Sequence, residues 1–256
     1  MRLRIERALP LAFLLAIAVW AFRDPLRAAR WHLQGEAELF LVPAQSAPAS
    51  VPVPRAIAHA GGAWRGLTYT NSLEALDYNY ARGARWFEMD FSKDAHGSWW
   101  AVHEWKDVQT GSPFQLATVD QVLGWFAGHP DTCLITDTKD DNPALLSRLA
   151  SAPADLRSRI HPQIYRIPEY SRARSGGFGA PIFTTYRSRY PWSVLDRFAR
   201  LHPLLALTVT LDQVPAASRA LSGRVPLLTH TVNDPAEAAR LRKAGIAGIY
   251  TDDLLP

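Results

Sequence analysis

Cysteine is nearly absent from this 256-residue chain, with Cys133 standing alone. One thiol permits no intramolecular disulfide and no thiolate metal cage. Its place in an apolar run before Asp137 reads as a buried structural group rather than a nucleophile. Glycine-rich phosphate loops are lacking too: Gly61-Gly62 is too short for a dinucleotide fingerprint or a P-loop, and Ser175-Gly176-Gly177-Phe178-Gly179 reads as a helix-to-strand turn. Excess positive charge is missing from most of the chain. Of 28 Lys+Arg and 24 Asp+Glu, residues 1–31 hold six arginines and two acids, so the remainder carries 22 of each and is neutral. Such a domain has no electrostatic footprint for nucleic acid.

The basic N-terminus has its own logic. Arg2, Arg4 and Arg7 precede an apolar stretch from Ala8 to Phe22, the layout of a secretory signal or signal anchor. The stretch is short against the ~20 residues of a spanning helix. Trp20, Phe22, Arg23 and Asp24 are poor neighbours for a cleavage site, which favours an uncleaved anchor. Residues 1–31 are thus expected to form the signal anchor and 32–54 a Pro/Ala-rich linker, with a single domain over 55–256. This organisation implies the cell envelope. The domain would face the periplasm or the extracellular side from the inner membrane, or be secreted if the segment is cleaved.

Strand and helix patterns alternate through the domain. Strands are predicted near 55–60, 85–91, 132–137, 160–165, 181–186, 204–210, 225–231 and 247–251. Helices are predicted over Asn71–Arg82, Thr118–Ala127, Asn142–Ala150, Tyr170–Ser175, Pro191–Leu201, Pro215–Leu221 and Pro235–Ala244. Asn71, Asn142 and Asp234 suit N-caps, and Pro143 and Pro235 suit first helical turns. Eight such units in about two hundred residues predict a closed parallel (β/α)8 TIM barrel, with an open doubly wound sheet as the alternative.

Catalytic groups of such barrels gather at the C-terminal ends of the strands. Glu88 and Asp90 lie two apart on one predicted strand and so face one way. Two like charges pressed together repel unless a cation sits between them. His59 ends the first predicted strand, Asp137 and Lys139 end the third, and His103 follows an extended segment that could return to the same rim. Three carboxylates offer hard oxygen ligands, which suit Mg²⁺ or Ca²⁺ better than zinc. Two histidines can divide proton transfer, and a lysine supplies a point charge for a phosphate oxygen. The set describes a phosphodiester-cleaving site. Trp105 is placed to touch an apolar part of a substrate, and Gln163 shares a strand face with Tyr165.

His59-Ala60-Gly61-Gly62, Tyr69-Thr70-Asn71-Ser72, Phe87-Glu88-Met89-Asp90, Val102-His103-Glu104 and Asp137-Thr138-Lys139 together resemble the ordered motifs of the glycerophosphodiester phosphodiesterase family. Pro162-Gln163-Ile164-Tyr165, Thr229-His230-Thr231-Val232-Asn233 and Gly248-Ile249-Tyr250-Thr251-Asp252 continue the resemblance to the C-terminus. It implies a (β/α)8 barrel, a divalent cation, and hydrolysis of glycerophosphodiesters to glycerol phosphate and an alcohol. It also implies that Glu88, Asp90 and Asp137 bind metal, that His59 and His103 form the acid–base pair, and that Lys139 contacts phosphate. The partner is then a small-molecule or phospholipid-derived phosphodiester.

Three positions depart from the family pattern. Ala60 stands where an arginine usually follows the first histidine, which leaves Arg65, Lys106 or Arg187 as possible replacements. Asp137 is one methylene shorter than the usual glutamate, and His230 replaces a common tryptophan. Two other functions use the same residues: a lysophospholipase D or sphingomyelinase D acting on larger lipids, and a catalytically weak barrel that only binds.

Overall fold

The computed structural model describes residues 25–43, 51–108, 111–221 and 223–255. Its centre is a closed ring of eight parallel strands: β1 (Ala56–Ala58), β2 (Trp86–Lys93), β4 (Cys133–Thr138), β5 (Ile160–Ile164), β6 (Ile182–Thr184), β7 (Ala206–Thr210), β8 (Leu227–His230) and β9 (Gly248–Thr251). β9 returns to β1 with Ala56 beside Ile249 and Ala58 beside Thr251, while Ala58 also pairs with Phe87 of β2. The remaining strand, β3 (Trp99–Trp100), folds back antiparallel on the end of β2. The parallel barrel is therefore the architecture, and the open-sheet alternative falls.

Each predicted strand is present. The barrel is covered by α2 (Leu73–Ala81), α3 (Val119–Gly128), α4 (Asn142–Leu149), α5 (Ala154–Arg157), α6 (Glu169–Ser175), α7 (Trp192–Leu201), α8 (Val214–Leu221) and α9 (Pro235–Lys243). Two expected caps move by one residue. Ser72, not Asn71, accepts the Ala75 N–H at the start of α2, and Asp141, not Asn142, accepts from Ala144. In both cases the asparagine amide is held elsewhere: Asn71 by Asp90, and Asn142 by Glu169 and the Gln163 carbonyl.

Strand alternation sorts the core into two parts. Phe87, Met89 and Phe91 point outward from β2 into the large cluster shared with the helices. A smaller cluster of Ile57, Ile135, Ile182, Ala206, Leu228 and Tyr250 fills the barrel interior. Two residues further along the same faces the inward side chains become polar: His59, Asp137, Thr184, Thr208, His230 and Asp252. The barrel is thus dry at its N-terminal end and chemically equipped at its C-terminal end.

Residues 1–24 of the expected signal anchor lie outside the described residues, its residues 25–31 are helical, and no described helix is long and apolar enough to cross a membrane. Residues 32–41, expected as part of the linker, belong instead to a helix over 25–41, here α1. α1 lies against the barrel. Its Glu38 carboxylate accepts from the Tyr190 hydroxyl and from Arg166 at 3.0 Å, and Glu36 pairs with Arg197. Gly35 permits this close approach, because a Cβ there would sit 2.7 Å from Val194.

Candidate active site

The turn after β1 brings the first histidine to the barrel mouth. Ala60, Gly61 and Gly62 all have positive φ, at 49°, 86° and 85°. At Gly62 a Cβ would lie 2.6 Å from the Asn79 amide nitrogen. Asn79 in turn donates to the Gly61 and Ala63 carbonyls at 2.9 and 3.1 Å, clamping the turn to α2. The Ala60 N–H then points inward and donates to Glu88 Oε2 at 2.9 Å.

Glu88, Asp90 and Asp137 converge as the strand pattern predicts. Asp90 and Asp137 are neighbours in the β2–β4 register, and one ligand oxygen from each of the three carboxylates lies within 4.8 Å of the others. The shorter Asp137 side chain therefore still reaches the common point. Burial, followed by repulsion from Asp90 and Asp137, holds the Glu88 carboxyl well above its ordinary range. Burial and Asp137 raise Asp90 as well. For Asp137, burial works upward, but the Lys139 ammonium and the Tyr165 and Tyr186 hydroxyls outweigh it and keep it low. Lys139 Nζ donates to Asp137 Oδ2 at 2.7 Å and to the Tyr186 hydroxyl at 2.8 Å. Asn71 fixes Asp90 from both ends, its amide donating to Oδ2 at 3.0 Å and its carbonyl accepting the Asp90 N–H at 2.8 Å.

Three buried carboxylates with raised or contested protonation and hard oxygen donors fit a bound Mg²⁺ or Ca²⁺. Neutralising them with Lys139 alone leaves two negative charges without a cation beside them. The donor set contains no sulfur and no imidazole at the shared point.

The two histidines flank Tyr69. Its ring meets His59 edge-on at 4.5 Å and His103 at 5.4 Å. His59 Nδ1 lies 2.9 Å from Asp252 Oδ1. Asp252 is itself held by Asn233, which donates to Oδ2 at 2.6 Å and accepts the Asp252 N–H at 2.8 Å. Burial raises the Asp252 carboxyl, yet the bonds from His59 and Asn233 bring it below its usual value. It is therefore an acceptor, so Nδ1 of His59 carries the proton and Nε2 is left for chemistry. His103 is more exposed and has a looser partner, Asp107, at 3.4 Å.

His59, Glu88, Asp90, His103, Asp137, Lys139 and Gln163 all border one cavity of about 160 Å³, with His230 and Tyr250 on its wall. Gln163 accepts from Thr184. Burial pushes the His230 imidazole below its ordinary value, and its Nε2 has no hydrogen-bond partner among the described residues. Two expected substrate contacts lie elsewhere. The Trp105 indole donates to the Lys93 carbonyl at 2.5 Å outside this cavity. Arg187 donates to the Thr138 carbonyl at 2.5 Å and covers the Tyr165 ring at 4.7 Å. Arg65 lies over Trp64, and Lys106 pairs with Glu104, so none of the three suggested replacements for the family arginine borders the cavity.

By sequence the chain matches no protein-family model and no curated protein. By structure it is similar to a glycerophosphodiester phosphodiesterase from Parabacteroides distasonis, at TM-score 0.60 and 18% identity over 79% of this chain and 94% of that one. A phosphodiesterase from Oleispira antarctica, solved with its product sn-glycerol-3-phosphate, gives 0.62 and 18% over 78% and 93%. The enzyme from Thermotoga maritima gives 0.56 and 16% over 80% and 96%. This chain has the fold of the glycerophosphodiester phosphodiesterases. Within that fold, residues that strand-end reasoning left without a role are Asp252, Asn233, Tyr69 and Tyr186. Asp252 carries the same signal as Asp137, a carboxylate directly after an apolar strand, and could have been found by it.

Proposed function

We propose that the protein hydrolyses glycerophosphodiesters to glycerol phosphate and an alcohol. The observation that carries this reading is the placement of two imidazoles on either side of Tyr69, facing three buried carboxylates and one ammonium in a single cavity. A divalent cation held by Glu88, Asp90 and Asp137 would supply neutralisation of charge on a phosphoryl oxygen. Lys139 adds a fixed positive charge beside it. His59 and His103 divide the proton work: one accepts a proton from the attacking water as the new P–O bond forms, and the other donates a proton to the departing alkoxide as the old P–O bond breaks. Asp252 keeps His59 in the tautomer and orientation that this needs. The product bound by the Oleispira antarctica enzyme supports a small phosphodiester as the reacting part of the substrate.

The test is hydrolysis of glycerophosphocholine, glycerophosphoethanolamine and glycerophosphoglycerol with added Mg²⁺ or Ca²⁺, and again after chelation. Release of glycerol phosphate that chelation abolishes is expected. Lack of turnover on every member with either ion would overturn the reading.

We further propose a location in the cell envelope, tethered through the N-terminal segment. Support comes from the arginine-flanked apolar run at 8–22 and from α1, where Leu26, Leu33 and Phe40 recur every seven residues and are 67%, 69% and 88% exposed. Recovery of the full chain in the membrane fraction, with release on deletion of residues 1–24, checks it.

A further inference from the structure

The groups that hold Asp137 are themselves held from outside the barrel. Its carboxylate accepts from the Tyr165 hydroxyl and, at 2.9–3.0 Å, from the Tyr186 hydroxyl. Tyr165 follows β5 and Tyr186 follows β6, and their rings meet edge-on at 5.8 Å. Two rim loops therefore decide where this carboxylate points. Loop backbone at a barrel mouth opens more easily than the strands beneath it. Within the loop after β6, the Ser188 N–H donates to the Thr185 carbonyl at 2.8 Å and the Tyr190 N–H to Ser188 Oγ at 3.3 Å. Arg187 adds its bond to the Thr138 carbonyl.

Both loops also end on one carboxylate of α1. Glu38 Oε1 accepts at 3.0 Å from Arg166, the residue after Tyr165. Its Oε2 accepts from the hydroxyl of Tyr190, four residues after Tyr186. That hydroxyl in turn accepts the Ile167 N–H at 3.4 Å, so it joins the two loops to each other. Glu38 is only 9% exposed, and Gln34, one helical turn earlier, donates to Oε1 at 2.9 Å. Burial, then the bond to Glu38, holds the Tyr190 phenol well above its ordinary value, so it stays a donor. Trp31 meets the Tyr190 ring edge-on at 6.3 Å, and Leu39 and Val42 are buried beside it in the sequence of α1 and its end. A carboxylate is seldom this buried unless it is paired, and charge-assisted bonds of this kind are the strong ones.

We propose that Glu38 is a positioning residue for the candidate active site: it clamps the loops after β5 and β6, and so sets Tyr165, Tyr186 and through them Asp137. α1 is then a working part of the site and not a spacer ahead of it. What Asp137 does once it is set, namely hold a cation, rests on the hydrolase reading above.

Two measurements on the full chain test this. Amide hydrogen exchange in the metal-free protein reads residues 165–169 and 185–191, and calorimetry reads the affinity for Mg²⁺. Glu38→Ala should speed exchange in both loops by at least about tenfold. It should also weaken Mg²⁺ binding by about three- to tenfold, less than the loss of a direct partner of a metal ligand. Tyr190→Phe, which removes only the hydroxyl, should act in the same direction. Glu38→Gln still accepts from Tyr190 and should recover most of both losses. Glu36→Ala cuts the neighbouring exposed pair with Arg197 and should change neither. Unaltered exchange in Glu38→Ala overturns the proposal, as does faster exchange with wild-type Mg²⁺ affinity. If Glu38→Ala does not fold, Tyr190→Phe decides by the same two criteria. A wild type that binds neither Mg²⁺ nor Ca²⁺ sinks the hydrolase reading instead, and the exchange rates then decide the clamp alone.

Discussion

His59 and Asp252 are 193 residues apart and meet with Nδ1 and Oδ1 separated by 2.9 Å. One ends the first strand of the barrel and the other follows the last, so the pair exists only because β9 closes onto β1. Asp252→Asn presents an amide that can take either orientation and destroys the fixed tautomer. A drop in kcat of ~10²–10⁴ is expected, with KM and metal response nearly unchanged. Steady-state kinetics on a glycerophosphodiester check this, and a normal kcat removes Asp252 from the positioning role.

The carboxylate cluster should cost the metal-free protein stability at high pH. Glu88 and Asp90 are raised above their ordinary values, so the folded state holds their protons more tightly than the unfolded chain does. Their stabilising contribution is complete below the unfolded carboxyl value and is lost as pH rises through the folded one. Mg²⁺ or Ca²⁺ replaces those protons, and the gain in Tm on adding either ion should grow from pH 5 to pH 8. Glu88→Gln should raise the Tm of the chelated protein at pH 8 by about 2–4 °C, the equivalent of ~1 kcal/mol, and should weaken the response to metal. A Tm gain that is the same at both pH values would contradict the cluster as the binding site.

His161 provides a separate acid-sensitive element inside the barrel. It is 1% exposed, its Nδ1 lies 2.9 Å from the Ala180 carbonyl, and burial pushes its imidazole down to about 4. Folded His161 stays neutral where the unfolded residue takes up a proton. Stability is therefore full above pH 6.5 and is lost as pH falls toward 4, by on the order of 3 kcal/mol. His161→Gln should flatten the acid limb between those values, whatever its effect at pH 7. Denaturant unfolding at pH 5 and pH 7 reads the difference directly.

Ala60 occupies the position where the family arginine is missing, and its side chain is fully buried rather than turned to the cavity. Its N–H is committed to Glu88. Inserting Ala60→Arg forces the packing of this turn apart, at a cost of about 1–3 kcal/mol. A lower Tm and no increase in kcat/KM on glycerophosphocholine are expected. A clear rise in kcat/KM would mean that the site accepts the guanidinium and lacks only that contact.

Much of the barrel was legible locally, because the period of a strand comes from its own backbone. Ile57 and His59, Ile135 and Asp137, Leu228 and His230 each show an apolar residue two places before a polar one, and each pair faces inward. The same alternation placed Glu88 beside Asp90 without any knowledge of the fold. Helix starts fell within two residues of their expected places for a similar reason, and the expected caps moved by one where Asn71 and Asn142 found partners across the chain. The meeting of Asp252 with His59, the docking of α1 through Glu38 and Tyr190, and the diversion of Arg187 onto the Thr138 carbonyl were decided by tertiary structure alone. A sequence dictates which groups reach the rim of a barrel, since that depends on short-range geometry. Which of them touch depends on ring closure and on the paths of the loops, and those are set by packing between residues far apart in the chain.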